Sequence, residues 1–259
     1  MTSTLLPLLD MNQLPREVFV RQQAMPAGHA FPPHRHHWHQ LLYATSGVLV
    51  VTLPGERFFI PPEKALWLPA GLEHSVYSEF GTQLKSLYID QAYQGLDTTQ
   101  STQLRVSPLL RELIREASEF AIEYPLQGYE QNLIQLLLQT LARQQQDADH
   151  LPWPTEPKLF QLCNRLYLQP GSRLAVADIA RQLSWSERTL ERRFRQETGL
   201  SLRDWRHKLR LLKAIELLAT DVSITHVALE VGYSSPSPFI LMFRERTGLT
   251  PAQYRKQMI

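Results

Sequence analysis

The chain has 259 residues, 43% of them apolar, with 27 Lys and Arg against 25 Asp and Glu and a single cysteine. That length suits two domains with cores of their own. No run approaches the roughly 20 apolar residues of a membrane span, the first ten residues lack the flank and core of a signal peptide, and one cysteine excludes an internal disulfide framework. A cytoplasmic protein is expected. Cys163 shares a helical apolar pattern with Leu159, Leu162 and Leu166, which predicts a buried structural thiol. The charge is split along the chain: residues 1–156 carry 10 basic and 16 acidic side chains, residues 157–259 carry 17 and 9. The second half is thus the one suited to a polyanion.

From about Glu17 to Tyr88 the chain reads as short strands. Leu41–Tyr43, Val48–Leu53, Arg57–Ile60 and Ala65–Leu68 are β-prone runs. Turn signals at Gly28, Ser46-Gly47, Pro54-Gly55, Pro61-Pro62 and Pro69-Ala70-Gly71 separate them, which predicts a barrel or sandwich. Gly28, His34, His36, Gln40 and Gly47 keep the spacing of the first cupin motif, with Gln40 where the motif has Glu. Pro69, Gly71 and His74 keep that of the second, with Ser78 in place of Asn and Glu63 in place of a leading Gly. This segment therefore resembles a cupin barrel.

If His34, His36, Trp38 and Gln40 alternate on one strand, they share a face, and the resemblance brings His74 to the same interior. Three imidazoles and an amide suit a divalent metal such as Zn, Fe, Ni or Cu. The alternative is a small organic effector in a metal-free barrel, with Trp38 and Trp67 as pocket wall and Tyr43 and Tyr77 as further aromatic candidates. His37 and His39 are expected to face outward, at the rim or surface.

From Ser107 the apolar period becomes helical. Leu109, Leu110, Leu113, Ile114, Ala117 and Phe120 form one stripe; Leu133, Ile134, Leu136, Leu137, Leu138 and Leu141 form another. Two such helices can cover the barrel or pair with a second subunit, so residues 107–146 are assigned as a dimerisation and relay segment. The polar, Pro-rich stretch 147–157 reads as a linker.

The remainder, 158–259, repeats itself. Phe194, Arg195, Thr198, Gly199, Leu200 and Arg206 recur as Phe243, Arg244, Thr247, Gly248, Leu249 and Arg255, 49 residues later. One supersecondary unit is used twice. Each copy has a small residue on a first helix, Ala180 or Ala228, and a turn at Ser184 or Gly232. An inner face of Leu190/Phe194 or Phe239/Phe243 then pins the second helix, the pattern of a helix-turn-helix. These units are expected at about 176–197 and 224–247. A helix over 202–219, about 27 Å long, would join them at nearly the roughly 34 Å spacing of successive major-groove faces. With Phe243-Arg244-x-x-Thr247-Gly248-Leu249-Thr250-Pro251-x-x-Tyr254-Arg255 as its most specific element, this half resembles the AraC/XylS family. Departures are Ser184 at a turn glycine position and Pro236 and Pro238 in the second reading helix's first turn, where proline is tolerated.

The resemblance implies base contacts from Arg188, Glu191 and Arg192 on the first reading helix and from Ser237, Ile240 and Leu241 on the second. Arg can bond bidentately to guanine and Glu can accept from cytosine, whereas Ile and Leu offer only contact with a thymine methyl. Arg193, Arg195, Ser235, Arg244 and Arg246 are phosphate candidates, with Arg203, Arg206 and Lys208 behind them. The first unit is therefore expected to discriminate sequence and the second to position the protein.

The predicted fold class is α+β in two domains: a cupin barrel (1–106) followed by helices, then an all-α tandem helix-turn-helix. The predicted function is a sequence-specific transcription regulator, not an enzyme. It would be a homodimer acting on double-stranded promoter DNA with RNA polymerase, without a membrane, under a small molecule or metal in the barrel. The alternative is a metal-dependent cupin enzyme fused to a DNA-binding domain; Gln40 in place of Glu and the basic fused half weigh against it. An architectural binder indifferent to sequence is a third class.

Overall fold

A computed structural model describes residues 4–147 and 150–258. Residues 1–3 of the N-terminal segment, Ala148 and Asp149 of the predicted linker, and Ile259 lie outside the described residues. Tertiary contacts divide the chain into Met1–Leu53 with Phe58–His150, and Pro54–Arg57 with Leu151–Ile259.

The first unit is built on β1 (Thr4–Leu5), β2 (Val18–Met25), β3 (His29–His34), β4 (His39–Gly47), β5 (Leu49–Leu53), β6 (Glu56–Ile60), β7 (Lys64–Leu68), β8 (His74–Ser78), β9 (Thr82–Ile89) and β10 (Thr102–Arg105). One sheet runs β1-β3-β8-β5-β6 and the other β10-β7-β4-β9-β2. Strand alternation decides what each face meets. Leu42, Leu66, Leu68 and Leu84 point inward and pack with Phe31, Leu49, Val51 and Val76 of the facing sheet. Their neighbours Leu41, Tyr43, Ala65, Trp67 and Leu87 point the other way.

That outer face is covered by α1 (Pro108–Ala117) and α2 (Tyr129–Ala142). Ser107 Oγ accepts from the Leu110 amide at 3.3 Å and Pro108 takes the first helical position, a good helix start. Leu110, Leu113, Ile114, Leu133, Ile134, Leu137 and Leu141 join one core with Trp67. The helices thus cover the sheet. Leu109 and Leu136, which the apolar stripes also contain, stay 53% and 46% exposed.

The second unit holds β11 (Leu151–Pro152), α3 (Pro157–Leu168), α4 (Val176–Gln182), α5 (Glu187–Thr198), α6 (Leu202–Leu218), α7 (Ile224–Glu230), α8 (Pro236–Thr247) and α9 (Pro251–Met258). Within the stretch that composition marks as a linker, Leu151 and Trp153 are buried. β11 pairs with Glu56–Arg57, Trp153 packs 5.2 Å from the Trp205 ring, and Trp205 Nε1 donates to the Pro152 carbonyl at 2.8 Å. Proline-rich composition marks extended chain, and here that chain lies against a helical core. Cys163 is fully buried, and desolvation pushes its thiol well above the ordinary value, as a structural thiol requires. No helix among the described residues is long and apolar enough to cross a membrane.

The repeat is visible atom by atom. Thr198 Oγ donates to the Phe194 carbonyl at 2.8 Å, and Thr247 Oγ to that of Phe243 at 2.9 Å. Gly199 and Gly248 follow as left-handed helix caps.

Candidate nucleic-acid interface and effector cavity

In each reading unit the buried alanine of the first helix receives the chain after the turn. Trp185 N donates to the Ala180 carbonyl and Tyr233 N to that of Ala228, both at 2.9 Å. Ser184 sits at φ +59°, the single described non-glycine residue at positive φ, and Gly232 at φ +91°. The turn therefore demands left-handed backbone in both copies, and the serine adopts it at a cost. The helices begin differently. Ser186 Oγ caps α5 by accepting from Thr189 N at 3.2 Å, whereas Ser235 makes no such cap and Pro236 follows it.

Leu190 and Phe194 bury the inner face of α5, and Arg188, Arg192, Arg193 and Arg195 stand exposed on it with Glu191 half-buried. Arg192 Nη1 reaches Gln196 Oε1 at 3.2 Å, and the Arg193 guanidinium lies 4.7 Å from the Trp185 ring. On α8, Phe239 and Phe243 are buried and Ser237, Arg244 and Arg246 exposed; Ile240 and Ser235 are half-buried, and Leu241 is 61% exposed.

Arg206 departs from the phosphate role expected of it. Its guanidinium donates to the carbonyl oxygens of Leu174, at 2.9 Å, and Ser172. It is an internal tie. The sequence reading also missed a cationic cleft of about 330 Å³ lined by Arg173, Arg203, Arg206, His207 and Arg210. Burial, and then the charges of Arg210 and Arg203, hold the His207 imidazole below its ordinary pKa. The signal was available: 203, 206, 207 and 210 form a basic stripe at helical spacing.

In the first unit, Trp38 and Tyr88 border a cavity of about 180 Å³ into which His34, His36, Gln40 and Ser86 also project. The three imidazoles His34, His36 and His74 converge, with ligand atoms all within 4.8 Å of one another. They do not share one strand, as expected of His34 and His36. His34 ends β3, His36 lies in the connection that follows, and His34 pairs across to His74 on β8. Each Nδ1 donates to a backbone carbonyl: His34 to Pro32 at 2.8 Å, His36 to Trp38 at 2.8 Å, His74 to Leu72 at 3.0 Å. For His74 this leaves Nε2, which has no partner among the described residues, as the lone-pair nitrogen. Desolvation lowers all three pKa values, that of His74 to about 3. His36 stacks on Trp38, centroids 5.3 Å apart, and its Nε2 lies 2.9 Å from Gln40 Oε1. His74 Nε2 and Trp38 Nε1 are buried with no hydrogen-bond partner among the described residues. Three neutral imidazoles and an amide oxygen are a donor set that fits a transition metal.

Other expectations for this pocket need correction. Trp67 is not pocket wall: it pairs with Leu41 on the outward parity, is fully buried under the helices, and donates from Nε1 to the Asp97 carbonyl at 2.8 Å. Tyr43 shares that core, and Tyr77 alternates outward and donates to Glu79 Oε2 at 2.5 Å. His37 is exposed at the cavity rim, but His39 is buried. It sits against Trp67 at 4.9 Å and accepts from Ala70 N at 3.0 Å, because outward from the barrel here means toward the core beneath the helices.

Residues 18–163 match the family model of the AraC-like ligand binding domain, and residues 179–257 that of a helix-turn-helix domain. The HTH-type transcriptional regulator NimR of Escherichia coli is 34% identical over 223 residues, 86% of this chain and 81% of its own length. The chain belongs to the AraC family of transcription regulators. Among this AraC-family regulator's other relatives, the transcriptional activator RhaR of Yersinia pseudotuberculosis is 28% identical over 66% of this chain and 58% of its own. A solved regulator structure from Chromobacterium violaceum is 32% identical, with a TM-score of 0.37 over 40% of this chain and 94% of that one. The regulator has a sheet-rich ligand-binding domain followed by a helical DNA-binding domain, and its relatives are regulators.

Proposed function

We propose that this regulator reads DNA with two unequal heads under the control of a small molecule in the barrel cavity. α5 discriminates sequence: Arg188 and Arg192 donate to guanine edges and Glu191 accepts from cytosine. α8 seats the protein, with Ser237, Ile240 and Leu241 in apolar or single polar contact and Ser235, Arg244 and Arg246 on phosphates, joined by Arg193 and Arg195 of α5. The cationic cleft at Arg173 and Arg203 supplies further attraction for the backbone. The observation that carries this reading is the contrast between the outward faces, charged and bidentate on α5, apolar and hydroxyl on α8. Mutating each half of the operator tests it. Loss of affinity concentrated in one half supports the reading, and equal losses overturn it.

For the cavity, support comes from the buried, unpartnered Trp38 Nε1 and His74 Nε2, polar atoms that a ligand would satisfy. The effector would favour one arrangement of the reading heads. The exposed Leu109, Tyr129 and Leu136 of the covering helices suit a homodimer contact. The protein would act in the cytoplasm, with RNA polymerase, and without turnover: Gln40 replaces the carboxylate of the enzymatic cupin pattern.

A further inference from the structure

We infer that the cavity of the first unit takes a compact organic carboxylate, its body about one six-membered ring in size, and that Arg21 binds the anionic group. The inference rests on the reading of this cavity as the effector site and names the class of effector.

Arg21 is unusual for a barrel interior. On β2, Arg21, Gln23 and Met25 share one parity. Met25 of that set joins the apolar core between the sheets, so the set faces inward. Arg21 and Gln23 accordingly line the cavity, and Arg21 stands opposite Ser86 of β9, which lines it too. Taking a cationic side chain out of water costs free energy unless an anion pairs with it. Arg21 is half-buried, and a second arginine, the exposed Arg35, stands in the same lining. Among the described residues neither makes an ion pair, and none that lines the cavity is Asp or Glu. The cavity therefore has guanidinium groups and no counter-charge of its own. The planar fork of a guanidinium matches the two oxygens of a carboxylate.

Trp38 supplies an independent observation. It borders the cavity and is only 7% exposed, and its Nε1 is buried with no hydrogen-bond partner among the described residues. An indole N–H can only donate, so the group that satisfies it is an acceptor. Guanidinium groups also donate and never accept. The unmet polar groups of the lining thus ask for the same thing, a ligand end rich in acceptor oxygens.

The rest of the lining sets the body of the ligand. Phe31, Leu42, Val76 and Leu84 border the cavity and belong to the apolar core. A polyol would press hydroxyl groups against that wall with nothing to bond them, whereas a ring or short branched chain buries apolar surface there. The volume of about 180 Å³ is close to the roughly 150 Å³ that holds one benzene ring in an apolar protein cavity. It falls below the roughly 300–1,000 Å³ of sites for drug-sized ligands. One ring bearing one carboxylate uses both ends of the cavity; a long acyl chain or a fused ring system exceeds it.

The test is a calorimetric titration of the full-length protein with sodium benzoate and cyclohexanecarboxylate, each set against its primary amide, which keeps the shape and removes the charge. One carboxylate per chain is expected, bound about 10–100-fold more tightly than the amide, the range that charge-assisted hydrogen bonds contribute. Arg21→Gln is expected to lose that advantage and to bind acid and amide alike. Gln22→Ala, exposed and on the opposite parity of the same strand, binds as the parent does. The comparison of acid with amide in the parent does not depend on any variant folding. Amides that bind as tightly as the acids overturn the inference, as does absence of binding by both carboxylates or undiminished binding by folded Arg21→Gln. Binding of the amides in place of the acids leaves the effector reading standing. A carboxylate that binds through Arg21 and leaves the affinity for DNA unchanged removes the effector reading alone.

Discussion

Arg206 and Arg255, 49 residues apart, perform the same task in the two halves of the DNA-binding unit. Arg206 ties the carbonyls of Ser172 and Leu174 ahead of α4, and Arg255 ties those of Leu218, at 3.2 Å, and Val222, at 2.6 Å, ahead of α7. Each guanidinium fixes the loop that feeds a helix-turn-helix. Hydrogen bonds from a charged group contribute about 1.5–3 kcal/mol, so Arg206→Ala and Arg255→Ala are each expected to lose that much in urea denaturation. The slope of log K against log salt for DNA binding separates tie from contact. Arg206→Ala leaves it unchanged, whereas Arg195→Ala lowers its magnitude by about 0.9. A reduced slope for Arg206→Ala would return it to the phosphate contacts.

The turn residues make opposite predictions from one geometry. Ser184 holds φ +59°, so Ser184→Gly relieves a left-handed strain of about 1–2 kcal/mol against the extra unfolded-state entropy of glycine. A net gain of about 0.5–1 kcal/mol is expected. Gly232→Ala strains φ +91° and brings a Cβ to 2.9 Å from Gly171 Cα, so it is expected to lose more than about 2 kcal/mol. Thermal melts of both variants check the pair, and a stabilised Gly232→Ala would contradict the account.

Two tryptophans that composition cannot tell apart should separate cleanly. Trp67→Ala empties a core site and is expected to cost about 3–5 kcal/mol. Trp38→Ala is expected to weaken the response of DNA binding to effector more than it weakens the fold. Calorimetry and a reporter assay on each variant read the two effects; a Trp67 variant that is stable but blind to effector would reverse the assignments.

The difference between those tryptophans marks where sequence reading stopped. The helix-turn-helix pattern was legible, because Leu190, Phe194, Phe239 and Phe243 impose a strict period and the repeat supplies each unit twice. The convergence of His34, His36 and His74 was legible through the resemblance to the cupin motifs, although the chain brings His36 in on a connection and not on a strand. Trp67 was misplaced because parity within a strand is known only once its register is, and Leu41 opposite it fixes that register from a distant segment. His39 was misplaced for a related reason: outward from the barrel means solvent only where no helix covers the sheet. Arg206 looked like any surface arginine because its partners are backbone carbonyls, which carry no sequence signal. Its recurrence at Arg255 was the available clue.

Selection of duplexes from a random pool tests the unequal heads most directly. The full-length protein, Arg188→Ala with Arg192→Ala, and Ser237→Ala with Leu241→Ala would each be used to recover bound sequences at fixed salt. The parent is expected to select a sharply defined half-motif and a weaker one about a helical turn away. The α5 variant should lose the sharp half-motif, while the α8 variant keeps both at lower affinity. Two equally sharp half-motifs, each erased by its own variant, would contradict the account.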